Sequence, residues 1–193
     1  MMEMKTAARP PILHTARLAL RPFIAEDENA VVDLLTDPAI ARTYILPVFP
    51  DRQEAVGLFD KLLVFSNRPE RFVYGIYLQG RVIGFINDVL IGEEEIELGY
   101  VIAPAHWNRG YATEALSACI EALFALGFGR VICGYFDGNE ASRRVMEKCG
   151  MTPTGVTETI RYRGRDRLCV YRAIRNTAPA QAPAAPPAYM EEK

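Results

Sequence analysis

The spacing of apolar and polar positions in the first third of the chain predicts one strand and two helices. Apolar residues alternate with polar ones over 17–21, which indicates a strand, and an apolar repeat over 26–36 indicates a helix. We expect this helix to stop before Pro38, because the residue ahead of a proline is pushed out of the helical region. A second helix is predicted over 52–65, with Asp51 as its N-cap.

The period changes to that of strands in the middle of the chain. Three segments rich in β-branched and aromatic residues are predicted to be consecutive antiparallel strands: 72–78, 81–89 and 96–102. They are joined by two pairs of residues that are typical of turns, Gln79-Gly80 and Ile91-Gly92.

The clearest helical pattern follows these strands. Apolar residues recur there at steps of three and one, at Ala112, Ala115, Leu116, Cys119, Ile120 and Leu123. Gly127 is predicted to end this helix, since glycine readily adopts the left-handed conformation found after a helix.

The last third predicts a buried strand, a helix and a hairpin. Residues 130–136 are apolar on both faces, as in a central strand, and a helix is predicted over 139–148. Strands over 154–163 and 166–174 are predicted to form a hairpin around Gly164. The whole pattern predicts an α/β (α+β) domain, with a mixed, mainly antiparallel sheet of about seven strands and about four helices on its faces.

Composition at the two ends limits the folded domain to residues 13–175. We expect a flexible N-terminus over 1–12 and a disordered tail over 176–193. The tail holds four prolines and six alanines, and such a segment cannot bury enough apolar surface to offset its ordering entropy.

Charge and cysteine usage exclude several classes of function. The formal net charge of −2 argues against binding to nucleic acid, which needs an excess of clustered Lys and Arg. The start lacks the apolar core of a signal peptide and no apolar run is long enough to span a membrane, so we expect a cytoplasmic protein without membrane contact. Four scattered cysteines and two histidines offer no close pairs for a metal, so reduced thiols and no metal site are expected.

The segment between the third antiparallel strand and the strong helix carries candidate binding chemistry. Backbone N–H groups at a helix start lack intrahelical partners and lie at the positive end of the dipole, so they suit a phosphate. Gly110 and Ala112 leave room there for close approach. A glycine at this place equally fits a simple turn, so this feature alone leaves both interpretations open.

This segment resembles the acetyl-CoA pyrophosphate loop of the GNAT acetyltransferases, Q/R-x-x-G-x-G/A, and most of all its RimJ/RimL branch. Trp-Gly-Lys-Gly-Tyr-Ala-Thr-Glu-Ala is typical of that branch. This chain has Trp107-Asn108-Arg109-Gly110-Tyr111-Ala112-Thr113-Glu114-Ala115. Arg109 keeps the cation of the usual Lys. Asn108 replaces a glycine, and Asn tolerates the left-handed conformation better than most residues.

A second block, 139–151, resembles the family segment N-x-x-S-x-x-V-x-x-K-x-G-F, with Met151 in place of Phe. The resemblance covers about 16–174 and implies the GNAT fold and acetyl-CoA as cosubstrate, with no metal. It places the pantetheine arm between the strands at 100–102 and 130–136. The implied cofactor-binding residues are Tyr100, Val101, Ile102, Asn108, Arg109, Gly110, Tyr111, Ala112, Thr113, Asn139 and Ser142. Asn139 would bond the pantetheine amide, while an N-cap role fits it equally.

Two residues are candidates for the acetyl transfer itself. The pleat places Glu97 on the strand face opposite Ile96 and Leu98. By the resemblance its carboxylate can take the amine proton, although a solvent-facing carboxylate is an equal alternative. Many relatives place a Tyr acid where this chain has Met146. Ser142, or a water, is then the candidate to protonate the thiolate, which also leaves readily without help.

The sequence leaves the acceptor open. The expected reaction is acetylation of a primary amine, on a protein N-terminus or on a small molecule, and the alternative is a non-catalytic acetyl-CoA sensor. An assembly as monomer or homodimer is open as well. Four arginines alternate at the last turn, which indicates a solvated sheet face or, alternatively, contact with an acidic acceptor or a partner subunit: Arg161, Arg163, Arg165 and Arg167.

Overall fold

A computed structural model describes residues 12–49 and 51–177. The expected flexible start and tail lie almost entirely outside these residues. The α-helices are α1 (Glu28–Thr36), α2 (Pro38–Thr43), α3 (Arg52–Ser66), α4 (Tyr111–Ala125) and α5 (Glu140–Lys148). The strands are β1 (Leu13–His14), β2 (Leu18–Arg21), β3 (Val73–Leu78), β4 (Arg81–Ile91), β5 (Glu95–Ile102), β6 (Arg130–Phe136), β7 (Thr152–Tyr162) and β8 (Arg165–Arg175).

The described residues contain eight strands and five α-helices, one of each more than the pattern indicated. The additional strand is the two-residue β1. The additional helix is α2, which starts at the proline that ends α1. The Asp37 side chain accepts a bond of 2.7 Å from the Ala39 N–H, and Pro38 takes the first helical position, where it needs no N–H. The expectation that α1 stops before Pro38 is confirmed, but the helix that begins there was missed.

All strands lie in one sheet in the order β1-β2-β3-β4-β5-β6-β8-β7. Every neighbouring pair is antiparallel except β5 and β6, which are parallel. The connection between these two strands contains α4, as a parallel crossover requires. The predicted mixed, mainly antiparallel sheet is confirmed.

Left-handed residues form the two tight hairpin turns. Gln79 and Gly80 have φ values of 49° and 80°, and Arg163 and Gly164 have φ values of 50° and 76°. Positive φ at both central residues defines the two-residue turn that matches the twist of a hairpin. The turns predicted at these positions are confirmed.

The turn at Gly164 corrects the interpretation of the four arginines as one sheet face. Arg161 lies opposite Asp166, while Arg167 lies opposite Ile160. Because residues that face each other across two strands share a face, and successive residues alternate, Arg161 and Arg167 lie on opposite faces of the hairpin. The prediction was wrong because the chain reverses at the two-residue turn, which lies between these arginines.

Two apolar cores lie on the two faces of the sheet. One packs under α4 and includes Ile96 and Leu98 of β5, and the other packs under α1 and α3 and includes Val101. The predicted alternation along β5 is therefore confirmed. Glu97 lies on the same face as Val101, toward the second core.

The parallel strands β5 and β6 pair along only half of their length. The register runs from Glu95 opposite Arg130 to Leu98 opposite Cys133, although β5 continues to Ile102. Beyond Leu98 the two strands diverge, and their facing edges have no partner strand among the described residues. This gap is the feature of the fold that positions the candidate site.

The tight pairing of β4 with β5 predicts that Gly84 cannot carry a side chain. A Cβ at Gly84 would lie 2.1 Å from the Val101 carbonyl oxygen, so the strand backbone must move. We expect Gly84→Ala to lower the free energy of unfolding by about 1–3 kcal/mol or more. Gly57→Ala is the control, since a Cβ there meets nothing within 4 Å and should gain about 1 kcal/mol of helix propensity. Urea denaturation measures both, and equal stability of the two variants would contradict the packing argument.

Candidate active site

A cleft of about 450 Å³ opens at the end of β5, beyond its last pair with β6, and no residue of β6 is among those that line it. It lies between the end of β5, the loop before α4 and the first turn of α5, and α2 forms a further wall. Ten of the eleven predicted cofactor-binding residues line it, all except Arg109: Tyr100, Val101, Ile102, Asn108, Gly110, Tyr111, Ala112, Thr113, Asn139 and Ser142. The structure therefore brings the two sequence blocks together on one cavity.

The start of α4 offers free backbone donors to this cleft. Gly110 is the N-cap, with φ 81°, and no side chain caps it in the described part of the chain. The first helical bond is donated by Glu114 to the Gly110 carbonyl, so the preceding N–H groups have no partner within the helix. Asn108 is left-handed, with φ 59°, as the sequence predicted for its place in the loop. These features suit a phosphate at the helix start.

A clamp that the sequence did not indicate holds this loop. Arg17 binds Glu114 of α4, with 2.7 Å between Nε and Oε2, and donates a bond of 2.9 Å to the Arg109 carbonyl. Thr15 adds a hydroxyl bond of 2.6 Å to Glu114. Burial alone would raise the pKa of Glu114, but the bonds from Thr15 and Arg17 outweigh it and lower that pKa. The Arg109 side chain itself is exposed.

Two aromatic residues of the loop also face the cleft. The Trp107 indole N–H donates a bond of 2.6 Å to the Ile102 carbonyl, and the residue remains 39% exposed. Trp107 thus fastens the loop to the end of β5. The Nδ1 atom of His106 is buried and has no hydrogen-bond partner among the described residues.

Asn139 and Ser142 lie together at the start of α5. The Asn139 side chain accepts a bond of 3.2 Å from the Ser142 N–H and donates one of 3.4 Å to the Thr43 carbonyl. The N-cap role is therefore present, and one N–H of the Asn139 amide has no partner in the part of the chain that the structure describes. The Ser142 and Tyr100 hydroxyl oxygens are 2.8 Å apart, and burial raises the pKa of Tyr100, so this phenol stays protonated.

Met146 is fully buried in the core beneath α4. Position 146 therefore supplies no general acid in this chain, unlike the Tyr of many relatives. Ser142, which lines the cleft, remains the predicted donor to a departing thiolate.

Glu97 lies near the gap but is not among the residues that line the cleft. It pairs with Ile132, one position before the register between β5 and β6 ends. Burial raises the pKa of Glu97, and the charge of Glu158 raises it further. A half-buried carboxylate of raised pKa fits a proton acceptor better than a solvated strand residue.

The segment around α2 was missed as part of the site. Ile40, Thr43 and Tyr44 line the cleft, and the Tyr44 hydroxyl bonds the Asn87 side chain at 2.6 Å. The only local signal was Asp37-Pro38, a pair that suits the start of a helix. The contacts of this segment with β4 and α5 join residues that are distant in sequence.

Three further observations concern the described residues only. They contain no group of three or more His, Cys, Asp or Glu side chains that could hold a metal ion. None of their helices is both long and apolar enough to cross a membrane. All four cysteines are free thiols, and burial raises the pKa of Cys119 and Cys133.

Comparison with known proteins connects this geometry to one family. A sequence profile of the acetyltransferase (GNAT) domain matches residues 17–152. The uncharacterized N-acetyltransferase YoaA of Bacillus subtilis is 29% identical over 157 residues, which cover 79% of this chain and 89% of YoaA.

Solved structures share the fold. An acetyltransferase of the GNAT family from Bacillus anthracis has a TM-score of 0.74 at 25% identity, covering 85% of this chain and 98% of that one. RimL, a ribosomal-protein α-N-acetyltransferase solved in complex with coenzyme A, has a TM-score of 0.76 at 17% identity. Here 85% of this chain and 97% of RimL are covered, and the likeness is one of fold.

The free donors at the start of α4 predict that charge at Gly110 decides phosphate binding. Asp and Asn both tolerate the left-handed conformation of Gly110 and have nearly the same shape, but Asp adds a negative charge. We expect Gly110→Asp to weaken CoA binding strongly and Gly110→Asn to retain most of it. Calorimetric titration with CoA measures both affinities. Equal affinity of the two variants would contradict the placement of the pyrophosphate in this loop.

Proposed function

Because the chain belongs to the GNAT family of acetyltransferases, and is therefore an acyltransferase that uses acetyl-CoA, we propose that it transfers the acetyl group directly to a primary amine in a ternary complex. The observation that carries this proposal is the cleft at the diverging strands. It combines an open strand edge, the free N–H groups of α4 and, beside it, the half-buried Glu97.

The residues present fit the parts of acetyl-CoA. The N–H groups at Tyr111, Ala112 and Thr113 suit its pyrophosphate, and the unpaired edge of β5 suits the two amides of its pantetheine arm. The thioester would then lie at the point where the strands part, near Ser142. This is the assignment that the family resemblance implied, and the geometry of the cleft supports it.

The reaction needs two proton transfers: the attacking amine loses a proton and the departing thiolate gains one. The amine nitrogen forms a bond to the thioester carbonyl carbon, the carbon–sulfur bond breaks, and the sulfur leaves as thiolate. Glu97 takes the proton that the amine loses, directly or through a water. The thiolate takes a proton from the Ser142 hydroxyl, which recovers one from solvent, or from solvent itself. Glu97 suits its role because burial raises its pKa, which makes its carboxylate a stronger proton acceptor than an exposed one.

The acceptor in this proposal is an amine of a protein N-terminus or of a small molecule in the cytoplasm. An α-amine has an ordinary pKa of about 7.7–8.0, so a useful fraction is neutral before the base acts. A lysine amine, at about 10.4, needs more assistance. The resemblance to the RimJ/RimL branch and the fold likeness to RimL support the first class.

Release of CoA in the presence of amines tests the proposed function. Short peptides with a free α-amine, spermidine and lysine form a suitable panel, and mass spectrometry identifies the acetylated nitrogen. Acetyl transfer to a panel member supports the enzyme. Tight binding of acetyl-CoA without any transfer would favour the alternative, a non-catalytic acetyl-CoA sensor.

Glu97→Gln should lower turnover by about 10²–10⁴-fold, the usual contribution of a general base, and leave acetyl-CoA affinity unchanged. In the parent, turnover should rise with pH as Glu97 loses its proton, whereas the variant lacks this ionisation. Glu95→Gln is the control, because Glu95 lies on the same strand and face but is exposed. Rates from pH 5 to 9 check the prediction, and equal profiles for parent and Glu97→Gln would exclude Glu97 as the base.

Glu97→Gln should also change the stability of the protein, and in the opposite direction to its effect on turnover: turnover falls while stability at neutral pH rises. Since burial raises the pKa of Glu97 in the folded state, folding favours the neutral carboxyl and the charged form costs stability above its unfolded pKa. Glu97→Gln should therefore be as stable as the parent in acid and more stable at neutral pH. Thermal unfolding at several pH values measures this. A variant that loses both turnover and stability at pH 7 would contradict it.

A further inference from the structure

We propose that Tyr44 positions the acceptor amine, through the lone pairs of its phenol oxygen beside Glu97. This inference rests on the proposed function, because it takes the amine to approach the sheet at Glu97. Tyr44 follows α2, lines the cleft and packs its ring edge-on against Phe85, with 5.9 Å between the ring centroids.

The hydroxyl proton of Tyr44 is already in use. Its oxygen lies 2.6 Å from Oδ1 of Asn87, while Nδ2 of Asn87 donates a bond of 2.9 Å to the Asp88 carbonyl. A carbonyl can only accept, so this second bond fixes the Asn87 amide with its oxygen toward Tyr44. The phenol is then the donor to Asn87. Within the described residues no other donor reaches the phenol oxygen, and its lone pairs are available to an N–H group.

The phenol oxygen lies at the point where the strands part. A Cβ added at Gly99 would be 2.7 Å from this oxygen, so Tyr44 rests directly on the backbone of β5. Gly99 is the first residue of β5 beyond the last pair with β6, and Glu97 precedes it by two on the same face. The phenol oxygen and the Glu97 carboxylate therefore flank the gap from the same side of the sheet.

Two acceptors in this arrangement would orient a primary amine. A neutral primary amine has two N–H groups and one lone pair. If the Tyr44 oxygen takes one N–H and Glu97 takes the other, the lone pair is directed away from both. In the proposal this lone pair is directed to the thioester, which lies in the cleft that Tyr44 lines. Orientation of a reacting lone pair is a recognised source of rate enhancement.

Tyr162 at the tip of the β7–β8 hairpin keeps Tyr44 in place. Its hydroxyl oxygen lies 3.0 Å from the Ala41 carbonyl and 3.2 Å from the Tyr44 carbonyl, and accepts bonds from the Leu46 N–H at 3.3 Å and from Nε of Arg163 at 3.0 Å. One donated and two accepted bonds use the whole capacity of a phenol. These bonds thus connect the segment that carries Tyr44 to the β7–β8 hairpin.

Tyr44 is not itself a base or an acid in this proposal. Burial raises its pKa, and the charges of Asp88 and Glu97 raise it further against the lowering effect of the Asn87 bond. The phenol stays protonated across the working range of pH. Its contribution should therefore be independent of pH, unlike that of Glu97.

Tyr44→Phe tests the proposal with the panel amine that gives the fastest CoA release. We expect kcat/KM for the amine to fall about 3- to 10-fold, as for loss of a hydrogen bond between neutral groups, with unchanged calorimetric affinity for acetyl-CoA. The pH profile should keep the parent's shape at a lower level. The control is Tyr77→Phe. Tyr77 lies on β3 and its buried phenol bonds Asp27, so this variant should lower Tm without changing the KM of the amine.

The outcomes separate this inference from the proposed function. Parent-like kcat/KM in Tyr44→Phe would overturn the inference and leave the acetyltransferase intact. A loss of acetyl-CoA affinity as large as the loss of kcat/KM would also overturn it, since Tyr44 would then contribute to binding of acetyl-CoA and not of the amine. Acetyl-CoA binding without transfer to any amine by the parent would remove the proposed function, and the inference with it.

Discussion

The site depends on one constraint, that the parallel pairing of β5 and β6 ends at Leu98 and Cys133. Backbone N–H and C=O groups that are buried without partners are costly, so two such strands would ordinarily pair to their ends. Here a tyrosine lies on each side of the gap. Tyr44 rests on Gly99 from one face, and Tyr100 reaches Ser142 of α5 on the other. Packing thus holds open a strand edge whose hydrogen bonds an extended amide-bearing ligand can complete.

Glycines on the acceptor face make this packing possible. A Cβ at Gly99 would meet the Tyr44 hydroxyl, and one at Gly134 of β6 would lie 2.9 Å from the Tyr171 ring. The two strands that diverge therefore each carry a bare position over which an aromatic ring from elsewhere lies. Because Tyr171 also bonds Glu158 at 2.9 Å, the carboxylate that raises the pKa of Glu97 is itself held in place. Burial is the main cause of the raised pKa of Glu97, and the contacts of Tyr171 fix the carboxylate that raises it further.

Local chemistry made much of the fold predictable, and long-range contact explains what was missed. The turns at Gly80 and Gly164, the left-handed Asn108 and the strand 130–136 follow from residue type and period within a few positions. Tyr44 is held in the site by long-range contacts, among them the bond from Tyr162, which lies 118 positions away. No local pattern carries that information. The prediction that the four hairpin arginines share one sheet face was wrong for a related reason. The face on which each arginine lies depends on the position at which the chain reverses.

The two sides of the gap differ in what recognises the ligand, and this difference explains why the cosubstrate is easier to infer than the acceptor. On the cofactor side the principal groups are backbone N–H groups at a helix start and a strand edge, which constrain sequence through glycine and small residues in one short block. On the acceptor side the groups that we propose are side chains, Glu97 and Tyr44, which come from separate elements. These two residues lie outside the loop before α4, so they can vary without a change in that loop. A family can therefore keep acetyl-CoA while its acceptors diverge.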